Sequence, residues 1–137
     1  MSEPIIVTRR APSGANYYTA AGTHLGKVVY ESNAGEVTLQ TDSSIATGRE
    51  PLGILVGTDE DQNGGRVSVC IAGMCKVRLG AAYTAGTSAQ SIMANGSSKA
   101  IAATDGNYRV GRFAASVDGA DGQLVDAIIA PGPYEIS

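Results

Sequence analysis

The sequence predicts an all-β fold, a small Gly-rich β-barrel or β-sandwich-like domain with an extended N-terminal arm. Three observations carry that expectation. Short runs of Val, Ile, Leu and Thr recur along the chain, and clusters of Gly, Asn and Asp separate them at the spacing of sandwiches and barrels. The third is the stretch Arg66-Val67-Ser68-Val69-Cys70-Ile71, which alternates with period two. It sets Val67, Val69 and Ile71 on one face of a strand and Arg66, Ser68 and Cys70 on the other.

At the N-terminus, Pro4 and Pro12 bracket Ile5-Ile6-Val7-Thr8-Arg9-Arg10, a segment of strong β character, and Ser13-Gly14-Ala15 follows as a flexible stretch. Two placements fit this pattern. The segment is either an arm that adds a strand to an exposed sheet edge of another chain, or the first strand of its own domain. On the first placement residues 1–20 form the arm and 21–137 a single β domain. The strands that follow are expected at Lys27–Tyr30, Glu36–Thr41, Leu52–Gly57, Arg66–Ala72, Met74–Leu79, Ser91–Ala94, Lys99–Ala103, Arg109–Val117 and Gln123–Ala130.

The turns have their own chemistry. Asn95-Gly96 suits a type I′ hairpin, whose central residues both need positive φ, and Asn33-Ala34-Gly35 closes an earlier hairpin. Asp59 to Gly65 and Asp118 to Gly122 read as polar loops between paired strands. Helix is scarce, confined at most to a turn or two within Thr87 to Met93, where Ser and Thr crowd the segment. An internal echo is also present: Pro51–Gly73 and Tyr108–Gly132 each hold a Gly-interrupted strand (Gly53, Gly111), an acidic Gly-rich loop and a second apolar strand. Glycine inside a strand marks a bulge or a tight corner.

Composition narrows the function classes. The chain has 137 residues, no Trp, one Phe, 18 Gly and 20 Ala, so aliphatic side chains must supply the core. A net charge of −3 with scattered Lys and Arg speaks against nucleic acid as a partner. No apolar stretch reaches the length of a membrane helix, and Met-Ser-Glu-Pro lacks the features of a signal peptide. Synthesis in a cytoplasm is expected. Cys70 and Cys75, five residues apart, would point to opposite faces of one continuous strand and lie too far apart to bridge, so two reduced thiols are expected.

The sequence offers little to catalysis. His24 is the only histidine and has no nucleophile-elbow sequence to serve. Cys70, Cys75 and His24 do not make up a zinc set. Gly22 to Lys27 is too short between its glycines for a phosphate loop and lacks the following Ser or Thr. Asp59-Glu60-Asp61-Gln62-Asn63-Gly64 matches the first half of a calcium loop, but the twelfth position, where a Glu belongs, is Cys70. Asn95-Gly96-Ser97 is a formal glycosylation sequon that reads as a turn. No enzyme activity, cofactor or metal is expected.

From about Gly22 to Gly132 the chain resembles the capsid cement, or decoration, proteins of tailed bacteriophages. The resemblance lies in an ordered series: Gly26-Lys27-Val28-Val29, Pro51 to Gly57, Gly65 to Val69, Ala72 to Val77, Thr84-Ala85-Gly86, Ala94-Asn95-Gly96, Tyr108 to Arg112 and Leu124 to Ala130. It implies a virion protein on the outer capsid surface that clamps neighbouring subunits against the pressure of packaged DNA. The major capsid protein is then the partner, alongside copies of the chain itself, a homotrimer or a dimer. The arm Ile5, Ile6, Val7, Thr8, Arg9 and Arg10 is the expected capsid contact, and its removal with residues 1–12 is expected to abolish binding while leaving the domain folded. Tyr17 and Tyr18, the only tyrosine cluster, are candidate interface anchors. A glycan-binding or adhesive β-sandwich module is the alternative, with Tyr17, Tyr18, Tyr30, Tyr83, Tyr108 and Tyr134 available to stack on sugar rings.

Overall fold

A computed structural model of the chain describes residues 3–12, 17, 22–58, 65–85 and 90–134. The described residues form an all-β fold without helix, in nine strands: β1 (Ile5–Arg10), β2 (Val28–Asn33), β3 (Glu36–Leu39), β4 (Gly53–Thr58), β5 (Arg66–Arg78), β6 (Ser91–Ala94), β7 (Ala100–Ala102), β8 (Asn107–Phe113) and β9 (Leu124–Tyr134). Most strands fall where the apolar runs predict them. Met93 belongs to β6, so any helix anticipated there would have to lie before it, among residues outside the described set.

The first five strands close on themselves. β1 runs antiparallel to the first half of β5, β5 to β4, β4 to β2 and β2 to β3. A single parallel pairing, Arg10 with Glu36, then joins β3 back to β1 and completes a five-stranded barrel. The second half of β5, from Gly73 to Arg78, pairs with β9 and starts a second layer in the order β5, β9, β8, β6, β7. A bridge between Leu79 and Ala100 draws β7 back to the end of β5.

Two cores follow from this topology. Val29, Val37, Leu55, Val67 and Val69 fill the barrel. Their sequence neighbours Val28, Ile54 and Cys70 point the other way, into a larger cluster with Val77, Leu79, Ile92, Val110, Phe113 and Ile129. Strands β2, β4 and β5 are therefore buried on both faces where they meet, which is why Val28 to Tyr30 and Gly53 to Val56 read as unbroken apolar runs. The lone Phe113 stacks at 4.7 Å on Tyr83, whose hydroxyl donates to the Ala115 carbonyl at 3.0 Å.

Three expectations are corrected. The two strands expected at Arg66–Ala72 and Met74–Leu79 are one long strand that bends at Gly73, where φ is +89°. That bend overturns the reading of the cysteines. An extended five-residue step would separate the Cα atoms by roughly 16 Å, but across the bend they lie 6.9 Å apart and Cys70 and Cys75 form a disulfide. The third correction concerns Asn95-Gly96. β6 and β7 are joined by a wider loop in which Ser98 N–H donates to Asn95 C=O and Ser98, not Gly96, takes positive φ. That is a type I turn followed by a left-handed residue. The Asn95 carboxamide oxygen holds it by accepting from the Ser97 and Lys99 amides.

A candidate docking face

The N-terminal segment is seated in the sheet. Of its two placements the structure shows the first strand: Ile6 to Arg10 pair residue by residue with Cys70 to Arg66. A boundary at residue 20 therefore cuts a strand from its own barrel. Val7 packs against the barrel core. Taking away residues 1–12 would strip β5 of this neighbour and uncover Val67 and Val69, so the domain would not survive the deletion intact.

The six residues divide by side and by edge. Arg10 N–H donates to Gly35 C=O on the β3 side, and Ala11 N–H donates to Gly65 C=O on the β5 side. Backbone groups alternate along an antiparallel strand, so those of Ile6 and Thr8 face away from β5. The Thr8 carbonyl accepts from the Arg9 guanidinium at 3.0 Å. Both arginines are held by carboxylates of β2 and β3, Arg9 to Glu31 at 3.1 Å and Arg10 to Glu36 at 3.5 Å. Thr8 and Arg10 remain exposed, and so do two apolar side chains, Ile5 at 54% and Ile6 at 46%.

Ile6 opens onto a groove of about 330 Å³ walled by Pro4, Leu25, Val56, Cys75 and Leu124, with Leu124 itself 42% exposed. Several close approaches build it. Glu3 and Pro4 cross directly over the β5 bend, so that a Cβ on Gly73 would lie 2.8 Å from both the Glu3 carbonyl oxygen and the Pro4 Cα. On the opposite wall Gly26, at φ +87°, lies between Leu124 and the Arg78 backbone, where a side chain would not fit. Gly26 N–H donates to Leu55 C=O, and Gly26 C=O accepts from Arg78 N–H.

Arg78 holds this wall in place. Its guanidinium donates to three carbonyls, those of Leu25 at 2.9 Å, Gly22 at 2.9 Å and Gly122 at 2.7 Å. In the same loop Lys27 Nζ lies 3.3 Å from His24 Nδ1. Partial burial, then the neighbouring charges of Lys27 and Arg78, push the His24 imidazole below its ordinary range. Burial, then the charges of Lys99 and Arg78, likewise lower the Lys27 ammonium. No described carboxylate pairs with Lys27 or Arg78, whereas Lys99 reaches Asp121 at 3.5 Å and Lys76 reaches Asp126 at 2.9 Å.

Tyr17 lies elsewhere. Its ring packs against the barrel core and edge-on to His24 at 5.9 Å, and its hydroxyl donates to the Val37 carbonyl at 3.3 Å. Burial raises its pKa. The role this shows is to cover the β3 edge. Tyr18 and the acidic loop Asp59 to Gly64 lie outside the described residues. Among the described residues no three His, Cys, Asp or Glu gather as a metal site, and no helix is long and apolar enough to cross a membrane. Sequence reasoning misses Leu25 and Leu124 as groove residues, because Gly22 to Lys27 reads as a failed phosphate loop running into the strand expected at Lys27–Tyr30, and Leu124 as part of the strand expected at Gln123–Ala130.

No protein-family model matches the chain, and no curated protein sequence does. Among solved structures, the N-terminal base of the head fiber protein gp8.5 of bacteriophage phi29 shares the fold, with a TM-score of 0.60 and 17% sequence identity. The match covers 92% of this chain and 95% of that one, so the likeness is one of whole fold against whole fold.

Proposed function

We propose that this chain is a structural protein of a phage virion that docks on the outer face of the assembled head and there acts as cement, tying neighbouring capsid subunits together. The observation that carries this reading is the end-to-end likeness of its fold to the base of a phage head fiber. The ordered motif series from Gly22 to Gly132 supports it independently, because that likeness lies in the sequence and points to the same kind of particle. The apolar groove that Ile6 and Leu124 line supplies a surface that a free monomer would be expected to cover. Its partner is the major capsid protein, and a homotrimer is the oligomer the resemblance favours. The contact differs from an arm that leaves its domain: β1 stays in the barrel and offers its exposed apolar end.

Co-sedimentation of the purified protein with expanded, undecorated heads of its source phage, alongside unexpanded shells, tests the reading. Saturable binding to expanded heads at a fixed ratio to capsid protein is the expected result. Absence of binding to either shell would remove the proposal.

A further inference from the structure

Resting on that reading, we infer that a cleft between Arg109 and Arg112, on the outer face of β8 and β9, is a carboxylate-binding site that takes an acidic side chain of the capsid subunit. The cleft has a volume of about 110 Å³ and is lined by the two arginines with Gly111, Ile128 and Ala130. Residues three apart on a regular strand point to opposite faces. Here the pairing of β8 with β9 shifts register between Arg109 and Gly111, and an irregularity of this kind re-aims side chains. Both arginines border one opening. Neither is balanced within the described structure. Arg9, Arg10, Lys76 and Lys99 each reach a carboxylate, and Arg78 donates to three carbonyls. Arg109 and Arg112 make no ion pair and no side-chain hydrogen bond among the described residues. The Arg109 Nε is buried and has no hydrogen-bond partner there, and a buried cationic donor is costly to leave unmade.

Charge and size select the occupant. Gly111, Ile128 and Ala130 carry no polar side chain, so the lining offers the arginines no acceptor of that kind. A carboxylate has two oxygens and accepts short, charge-assisted bonds from guanidinium groups. It also suits an opening this small. A nucleic-acid backbone needs an array of cations, whereas this chain carries −3 overall. Two copies meeting cleft to cleft would set the arginines against each other, which opposes a two-fold self-contact. Position ties the cleft to the partner of the apolar groove. Along β9 the outward residues alternate: Leu124 borders the groove, Asp126 pairs with Lys76, and Ile128 and Ala130 border the cleft. Groove and cleft are therefore on one face, roughly 14 Å apart from Leu124 to Ile128. A partner that covers the first along β9 reaches the second, and an acidic side chain there fixes its register.

The test uses the full chain and expanded heads, with binding isotherms from co-sedimentation at two salt concentrations for wild type, Arg109→Gln, Arg112→Gln, Arg112→Glu and Arg66→Glu. Arg66 is an exposed strand residue outside the cleft, so its reversal changes the net charge equally and controls for bulk charge. The expected result is a loss of about tenfold or more in affinity for Arg112→Glu, a smaller loss for Arg112→Gln and Arg109→Gln, and no change for Arg66→Glu. Wild-type affinity should fall with added salt, and that dependence should weaken in Arg112→Gln. Circular dichroism melting checks each variant's fold. If Arg109→Gln does not fold, the Arg112 variants, changed at an exposed position, carry the test alone. Arg112→Glu binding within twofold of wild type would overturn the inference and leave head docking standing. An equal loss in Arg66→Glu would also overturn it, because bulk charge would then suffice. A changed oligomeric state with unchanged head binding would overturn it too and assign the cleft to a second copy. Wild type failing to bind heads would overturn the functional reading and this inference with it.

Discussion

Single atoms decide much of this fold, and the clearest cases are two glycines that occupy matching places. A Cβ on Gly53 would lie 2.0 Å from the Cys70 carbonyl oxygen, and one on Gly111 would lie 2.0 Å from that of Ile128. Both obstacles are backbone of the partner strand, which cannot rotate aside. Gly53→Ala and Gly111→Ala should therefore each destabilise the protein by roughly 1–3 kcal/mol or more, through forced separation of β4 from β5 and of β8 from β9. Gly96 has open space and no positive φ, so Gly96→Ala should be neutral or slightly stabilising. Urea denaturation of the three variants checks the contrast, and equal losses in all three would refute the steric account. A second residue-scale effect belongs to His24. Its folded pKa lies below the ordinary 6.5, so the unfolded chain takes up the proton more readily. That contribution to stability is complete above about pH 6.5 and is lost as the pH falls through the folded value. His24→Asn should flatten the decline of the denaturation midpoint below pH 6.5.

At the scale of elements, β5 is the strand on which the two layers depend. Its first half closes the barrel with β1 and β4, and its second half opens the other layer with β9. The Cys70–Cys75 disulfide spans the bend between the halves, with Cys70 fully buried. Reduction should cost about 2 kcal/mol, the chain-entropy value for so short a loop. Native-state hydrogen exchange should show the amides on both sides of Gly73 losing protection first. Exchange that rises evenly over the whole protein would mean that the disulfide does not act at the bend. Here the limits of sequence reading are also visible. The repeated hairpin was legible because Gly53 and Gly111 stand at matching places in two similar strings. The bend was not, because Gly73 lies between two apolar runs that read equally well as two strands. Whether the cysteines met depended on that one φ angle. The turn at Asn95-Gly96 was misread for a related reason. Its dipeptide fits a two-residue hairpin, but the Asn95 side chain caps a longer loop instead.

For the molecule as a whole, the all-β class and the strand positions were readable because both follow from local periodicity. The closure of the barrel rests on one long-range pair, Arg10 with Glu36, which no local pattern encodes. The groove was hidden for the same reason, since Ile6, Leu25 and Leu124 come from three distant parts of the chain. One property separates a cement from a protein that merely stands on the head. A cement adds interface that must break before capsid subunits part, so it stabilises the intact shell by mass action in the manner of any ligand of the native state. The temperature at which DNA-filled heads release their DNA should therefore rise with added protein. The rise should level off at the same ratio of protein to capsid subunit at which binding saturates. Dye accessibility of the DNA during heating measures it directly. If binding saturates while the release temperature stays fixed, the protein occupies the lattice without bridging subunits. Its role would then be that of a base for something else, and the clamping part of the proposal would fall while the docking part stood.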